Sequence, residues 1–134
     1  MHQILQPKGW APAKGFSNGV AAEGRQVFVA GQVGWNANQE FESDDFVAQT
    51  EQALRNIVAV LGETGARPEH IVRMTWYVTS KREYIDRQKD VGHAYRRVVG
   101  RHFPAMALVQ VVALLEDRAK VEIEATAVIP VPSE

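Results

Sequence analysis

The chain contains no cysteine in its 134 residues, which removes disulfides, thiolate nucleophiles, zinc ribbons and iron–sulfur clusters together from the chemistry open to it. It has almost no net charge. Fifteen Lys and Arg stand against 16 Asp and Glu, a formal −1, so the field of the whole molecule attracts neither nucleic acid nor an anionic membrane surface, and either partner would need a local patch. No apolar run approaches the roughly 18 residues of a membrane-spanning helix. Met1 to Trp10 carries Pro7, Lys8 and Gly9 but no apolar stretch of secretory-signal length, and the expectation is a cytoplasmic protein. Repeats and low-complexity linkers are missing too. What remains is 46% hydrophobic and 23% charged, the composition of an ordinary globular protein. One domain over residues 1–134 suits this length, burying about two thirds of the unfolded surface.

The periodicity predicts the order strand, strand, helix, strand, helix, strand, strand. Gly19 to Ala22 and Gln26 to Val33 read as a hairpin turning at Glu23-Gly24-Arg25. From Asp44 to Gly62 the residues Val47, Leu54, Ile57, Val58 and Leu61 keep helical spacing, with aspartates in the first turn where the macrodipole favours them. His70 to Thr79 is rich in β-branched and aromatic residues. Ser80-Lys81-Arg82-Glu83 is a capping-box pattern opening a second helix that runs to about Gly100, its expected C-cap. After Phe103-Pro104, the nearly continuous apolar run Ala105 to Leu115 predicts a strand buried on both faces. The expectation is an α+β domain, a mixed sheet of about six strands with two helices on one face. Its other sheet face needs a cover, and self-association supplies one.

Candidate chemistry is sparse. His2, His70, His93 and His102 show no ligand spacing and no H-E-x-x-H pattern, so no metal is expected. Ser17, Ser43, Ser80 and Ser133 fall at loops, caps or the terminus rather than at a strained nucleophile turn. The glycines of Gly15 to Gly19 and Ala30 to Gly34 match neither the dinucleotide fingerprint nor a phosphate loop, and no cofactor is expected. Lys89, Arg96, Arg97 and Arg101 form a basic cluster on the second helix, but no exposed aromatics interleave with it for base stacking. Nucleic acid is therefore not an expected partner, nor is a membrane.

The final strand is the most informative stretch. In Lys120 to Val128, Val121, Ile123, Ala125 and Ala127 share one face, and Glu122, Glu124 and Thr126 the other. Two adjacent carboxylates there suit a solvated face, or a cleft or interface in which a carboxylate orients or deprotonates water.

Gly15-Phe16-Ser17-Asn18-Gly19, Val29-Ala30-Gly31-Gln32-Val33, Phe103-Pro104-Ala105 and Val121-Glu122-Ile123-Glu124-Ala125, in that order over nearly the whole chain, resemble the Rid family (RidA/YjgF, reactive intermediate deaminases). The resemblance implies a chorismate-mutase-like α+β fold and a homotrimer with a small-molecule cleft between neighbouring subunits. Among the family's deaminases, an arginine grips the carboxylate of a 2-imino acid, a backbone amide assists, and a glutamate with a main-chain carbonyl positions the hydrolytic water. The glutamate corresponds to Glu122, the amide to Gly31 and the carbonyl to Leu108. Met106 holds the arginine's place, and a thioether offers no donor. Phe16 stands where a tyrosine is common, Ala30 where a serine is common, and Gly92 near where an asparagine would reach the cleft. The implied site is thus Glu122 as the catalytic group, with Gly31, Phe16, Met106, Leu108 and Ala30 binding a ligand less polar than standard 2-imino acids. The chemistry implied is hydrolysis of an imine, an enamine or a related C=N bond. A noncatalytic ligand-binding or regulatory trimer, and an endoribonuclease or translation inhibitor, are the other functions such a chain could serve.

Overall fold

The structure is a computed structural model that describes residues 2–132; Ser133 lies outside them. Strands β1 (Gln3–Leu5) and β2 (Gly19–Ala21) form a small antiparallel sheet of their own. The main sheet has the order β3-β6-β4-β5, built from β3 (Gly24–Val33), β4 (Ile71–Val78), β5 (Ala105–Gln110) and β6 (Val121–Pro130). Its pairs are antiparallel except β4 with β5, which run parallel. Helices α1 (Phe46–Gly62), α2 (Lys81–Asp86) and α3 (Gln88–Val98) complete the α+β domain.

Alternation along the strands separates two faces. Val121, Ile123, Ala125 and Ala127 of β6, Met74, Trp76 and Val78 of β4, and Val27 and Val29 of β3 are buried under the helices with Leu54, Ile57 and Leu61 of α1. Each fully buried Leu or Ile side chain contributes about 1.5–3 kcal/mol relative to exposure. Among the described residues nothing covers the opposite face. Phe28 is 71% exposed there, on the face it shares with Arg73, Thr75, Tyr77, Glu122, Glu124 and Thr126.

Local signals set the helix ends. Asp45 precedes α1 instead of lying in its first turn, and its carboxylate accepts from the Ala48 N–H at 3.0 Å. Ser80 Oγ caps α2 by accepting from Glu83 N–H at 3.1 Å. Gly100, just beyond α3, has φ +86°, a conformation that disfavours any residue with a Cβ.

Three expectations change. Gly19 to Ala22 does not pair with the following strand: β2 joins β1, so the six strands fall into two sheets. The second helix breaks at Arg87, whose φ of −110° and ψ of 15° are not helical; its guanidinium reaches Asp45 at 3.0 Å and Asp90 at 3.1 Å. The Ala105 to Leu115 run is not buried on both faces. Its strand ends at Gln110 on the sheet edge, and Val112 and Leu115 are fully exposed in the single chain.

Around the start of β4, His70 Nδ1 accepts the Arg67 N–H at 2.9 Å. Burial and the neighbouring Arg67 cation lower the pKa of His70, with small contributions in the same direction from His2 and His102 and an opposing one from Glu69. A histidine whose folded pKa lies below its unfolded value of about 6.5 stabilises the fold fully above that value and loses the contribution as pH falls towards the folded pKa. The urea midpoint should therefore drop between pH 7.5 and pH 5 more in the native chain than in His70→Gln. Equal drops would exclude this histidine as the cause.

Candidate functional site

The sheet presents two separate candidate surfaces. On the helix side, β5 and α3 enclose a cleft of about 630 Å³. Met106 and Leu108 pair in register with Met74 and Trp76 of β4, and partners across adjacent strands share a face, so both side chains turn towards the helices. Phe16 reaches the same cleft from the loop before β2. That loop is tied down because Ser17 N–H donates to the Pro104 carbonyl at 3.0 Å, and Ser17 Oγ donates to the Phe103 carbonyl.

The cleft floor is aromatic. Trp76 lies 6.5 Å from Tyr84 and 6.4 Å from Tyr95, centroid to centroid, and Tyr95 stacks on Phe103 at 5.6 Å with 11° between the rings. Burial pushes the Tyr95 phenol well above its usual pKa, so this hydroxyl stays neutral and donates to the His102 carbonyl. The Trp76 indole N–H is buried without a hydrogen-bond partner among the described residues, which normally costs about 1–3 kcal/mol. Gly92 also lines the cleft; a Cβ there would meet only Arg96 Nη2, at 3.9 Å.

Glu122, Gly31 and Ala30 lie elsewhere. Between Val29 and Gln32 the β3–β6 register slips by one residue, a bulge over Ala30 and Gly31 that re-aims the local backbone. A Cβ on Gly31 would sit 2.3 Å from Glu122 Oε2 and 2.8 Å from its carboxyl carbon. The missing side chain is thus the space in which the Glu122 carboxylate rests. Its neighbour Glu124 accepts the Tyr77 hydroxyl at 2.7 Å, and that bond holds the phenol above its usual pKa. Among the described residues Glu122 has no such hydrogen bond and no ion pair, and it is only half-buried. Of the two acids on this strand it is the free one.

Phe16, Met106 and Leu108 therefore share one cleft, Glu122 and Gly31 share one contact, and the two groups occupy opposite faces of the same sheet. Sequence reasoning missed Tyr84, Tyr95 and Phe103 as cleft walls, although their helical and turn spacing pointed to a common core. The basic cluster divides. Arg97 is held by Glu51 at 2.6 Å and faces α1, whereas Arg96 and Arg101 line the cleft. Among the described residues no group of three or more metal-ligating side chains occurs, and no helix is long and apolar enough to cross a membrane.

A helix-backed mixed sheet with an edge-strand cleft and a carboxylate seated on a bulge glycine is the arrangement of a small α+β protein whose candidate site residues are divided between sheet faces. The family model described as Endoribonuclease L-PSP matches residues 7–129, and the chain belongs to this family, the Rid/YjgF family. Protein DfrA of Myxococcus xanthus is 36% identical over 136 residues, covering 96% of this chain and 93% of its own. The 2-iminobutanoate/2-iminopropanoate deaminase of Escherichia coli is 31% identical over 108 residues, 78% of this chain and 80% of its own. Among solved structures, the Rid family protein YyfB of Yersinia pestis, described as of unknown function, has a TM-score of 0.83 at 33% identity, over 96% of this chain and 98% of its own.

Proposed function

We propose that the chain acts as a homotrimer that binds a small molecule in clefts between subunits and hydrolyses a C=N bond there, with poor activity on short 2-imino acids. The observation that carries this reading is the unpaired Glu122 carboxylate lodged on Gly31, on the sheet face left bare by the single chain. A second copy laid against that face would bring its own Phe16, Met106 and Leu108 cleft to the first copy's Glu122. The family resemblance supports three copies. A relative bearing the name of an iminobutanoate and iminopropanoate deaminase supports the reaction class.

In this reading Glu122 takes a proton from water as its oxygen bonds to the imine carbon, with the Leu108 carbonyl accepting the water's second proton in a hydrogen bond. The Gly31 amide N–H donates to the ligand. Glu122 returns that proton to nitrogen to give the carbinolamine; it then takes the hydroxyl's remaining proton as the carbonyl forms and passes it to the departing nitrogen, so the carbon–nitrogen bond breaks and a carbonyl compound and an amine or ammonia leave. Met106 supplies no charged donor for a carboxylate at its position, and Phe16 and Ala30 contribute apolar surface in place of hydroxyls. The alternative readings are a regulatory trimer without turnover and the endoribonuclease activity that the family model's description names. The engagement of Arg97 with Glu51 removes one cation from the cluster on which nucleic-acid binding would rest.

Sedimentation and ammonia release, measured on the same preparation over a series of imines generated in situ by an amino-acid oxidase, test the proposal. A trimer that releases ammonia faster than the uncatalysed background supports it. A monomer, or a trimer inert towards every imine tested, overturns it.

A further inference from the structure

We infer that the helix-side cleft is built for an aromatic carboxylate, its ring held among Trp76, Tyr84, Tyr95 and Phe103 and its charge held by Arg96 and Arg101 in place of a cation at position 106. The inference rests on the binding site of the proposed function and names the class of its ligand.

Two observations converge on it. The lining carries five aromatic side chains, Phe16 and the mutually contacting Trp76, Tyr84, Tyr95 and Phe103, and flat aromatic surfaces take a flat apolar ligand through offset and edge contacts. Lys14, Arg96 and Arg101 are the charged residues of the lining, and none is acidic. All three are exposed, and none forms an ion pair among the described residues. Arg96 Nε makes only a long 3.4 Å contact with the Gly92 carbonyl, one turn back on its own helix. An apolar cavity bordered by unpaired cations favours an anion over a neutral molecule of the same shape.

The other arginines are excluded by position. Arg73 lies on the opposite sheet face beside Phe28 and Glu124, and Arg97 is already bound to Glu51.

Calorimetric titration of the purified protein with 3-phenylpropanoate, its primary amide and butanoate tests the inference. The acid should bind about tenfold or more tightly than its amide, by the loss of a charge-assisted contact, and about tenfold more tightly than butanoate, which lacks the ring. Arg96→Gln and Arg101→Gln together should weaken the acid by about tenfold or more and leave the amide unchanged, while Arg97→Gln should leave both unchanged. The inference is overturned if acid and amide bind alike, if butanoate matches the aromatic acid, or if Arg97→Gln weakens binding as much as the double variant. Because the titration reads binding alone, an inert protein that still prefers the aromatic acid would sink the hydrolytic reading and leave this one standing. Ammonia release without that preference would do the reverse.

Discussion

Glu122→Gln is expected to lower the turnover of any C=N substrate of this protein by about 10²- to 10⁴-fold, the usual contribution of a positioned general acid or base, while leaving ligand affinity within a few-fold. The substitution keeps the length and shape of the side chain, so it fits the space over Gly31 as the glutamate does. It removes the proton acceptor. Glu122 is half-buried and has no hydrogen bond or ion pair among the described residues, so the fold loses little when its charge is removed, and a lower thermal midpoint should not accompany the lost activity. Glu124→Gln is the matched control, because that carboxylate is occupied by the Tyr77 hydroxyl. Steady-state ammonia release from the two variants checks the assignment. Equal losses in both would mean that the outer face depends on its total charge rather than on one group.

Met106→Arg is expected to raise kcat/KM for 2-iminopropanoate by about 30-fold or more, since a desolvated charge pair lost or gained shifts affinity by about 2–5 kcal/mol. Met106 points from β5 into the cleft, with a volume of about 630 Å³ around it. A longer, planar side chain therefore has room to extend without entering the core. The gain should fall at the lower end of the range, because Arg96 and Arg101 line the same cleft and a third guanidinium raises the cost of concentrating like charge there. If the native protein already hydrolyses 2-iminopropanoate at the rate of its arginine variant, the carboxylate is being held by another residue and Met106 does not limit the substrate.

Much of this arrangement is legible in the sequence because strand alternation is strict. The residues of β6 divide between faces as the period of two requires, and this places Glu122 and Glu124 outside before any contact is known. The long apolar stripe of α1 likewise fixes its buried face. Pairing was less legible. Gly19 to Ala21 pairs with Gln3 to Leu5 rather than with the strand that follows, a choice made by tertiary packing rather than by any turn residue. The break at Arg87 carries neither proline nor glycine; it depends on ion pairs to Asp45, 42 positions away in sequence, and to Asp90. Ala105 to Leu115 reads as doubly buried, yet Val112 and Leu115 are bare in the single chain, because an apolar run alone does not tell a buried strand from an exposed edge and loop. The bulge at Ala30 and Gly31 has glycine as its only sequence signal, and only the contact with Glu122 explains why that position lacks a side chain.

The central claim is that Glu122 of one subunit works on a ligand held in the cleft of another, and mixed trimers test it most directly. Glu122→Gln removes the carboxylate, and Gly92→Trp fills the cleft from α3, where a new Cβ would meet only Arg96 Nη2, at 3.9 Å. Each variant should be inactive alone. Co-refolded in equal amounts, they should recover about a quarter of the native activity, the share of interfaces that random assortment gives one intact carboxylate and one open cleft. No recovery from a mixture shown to contain mixed trimers would place both groups in one chain and contradict the account.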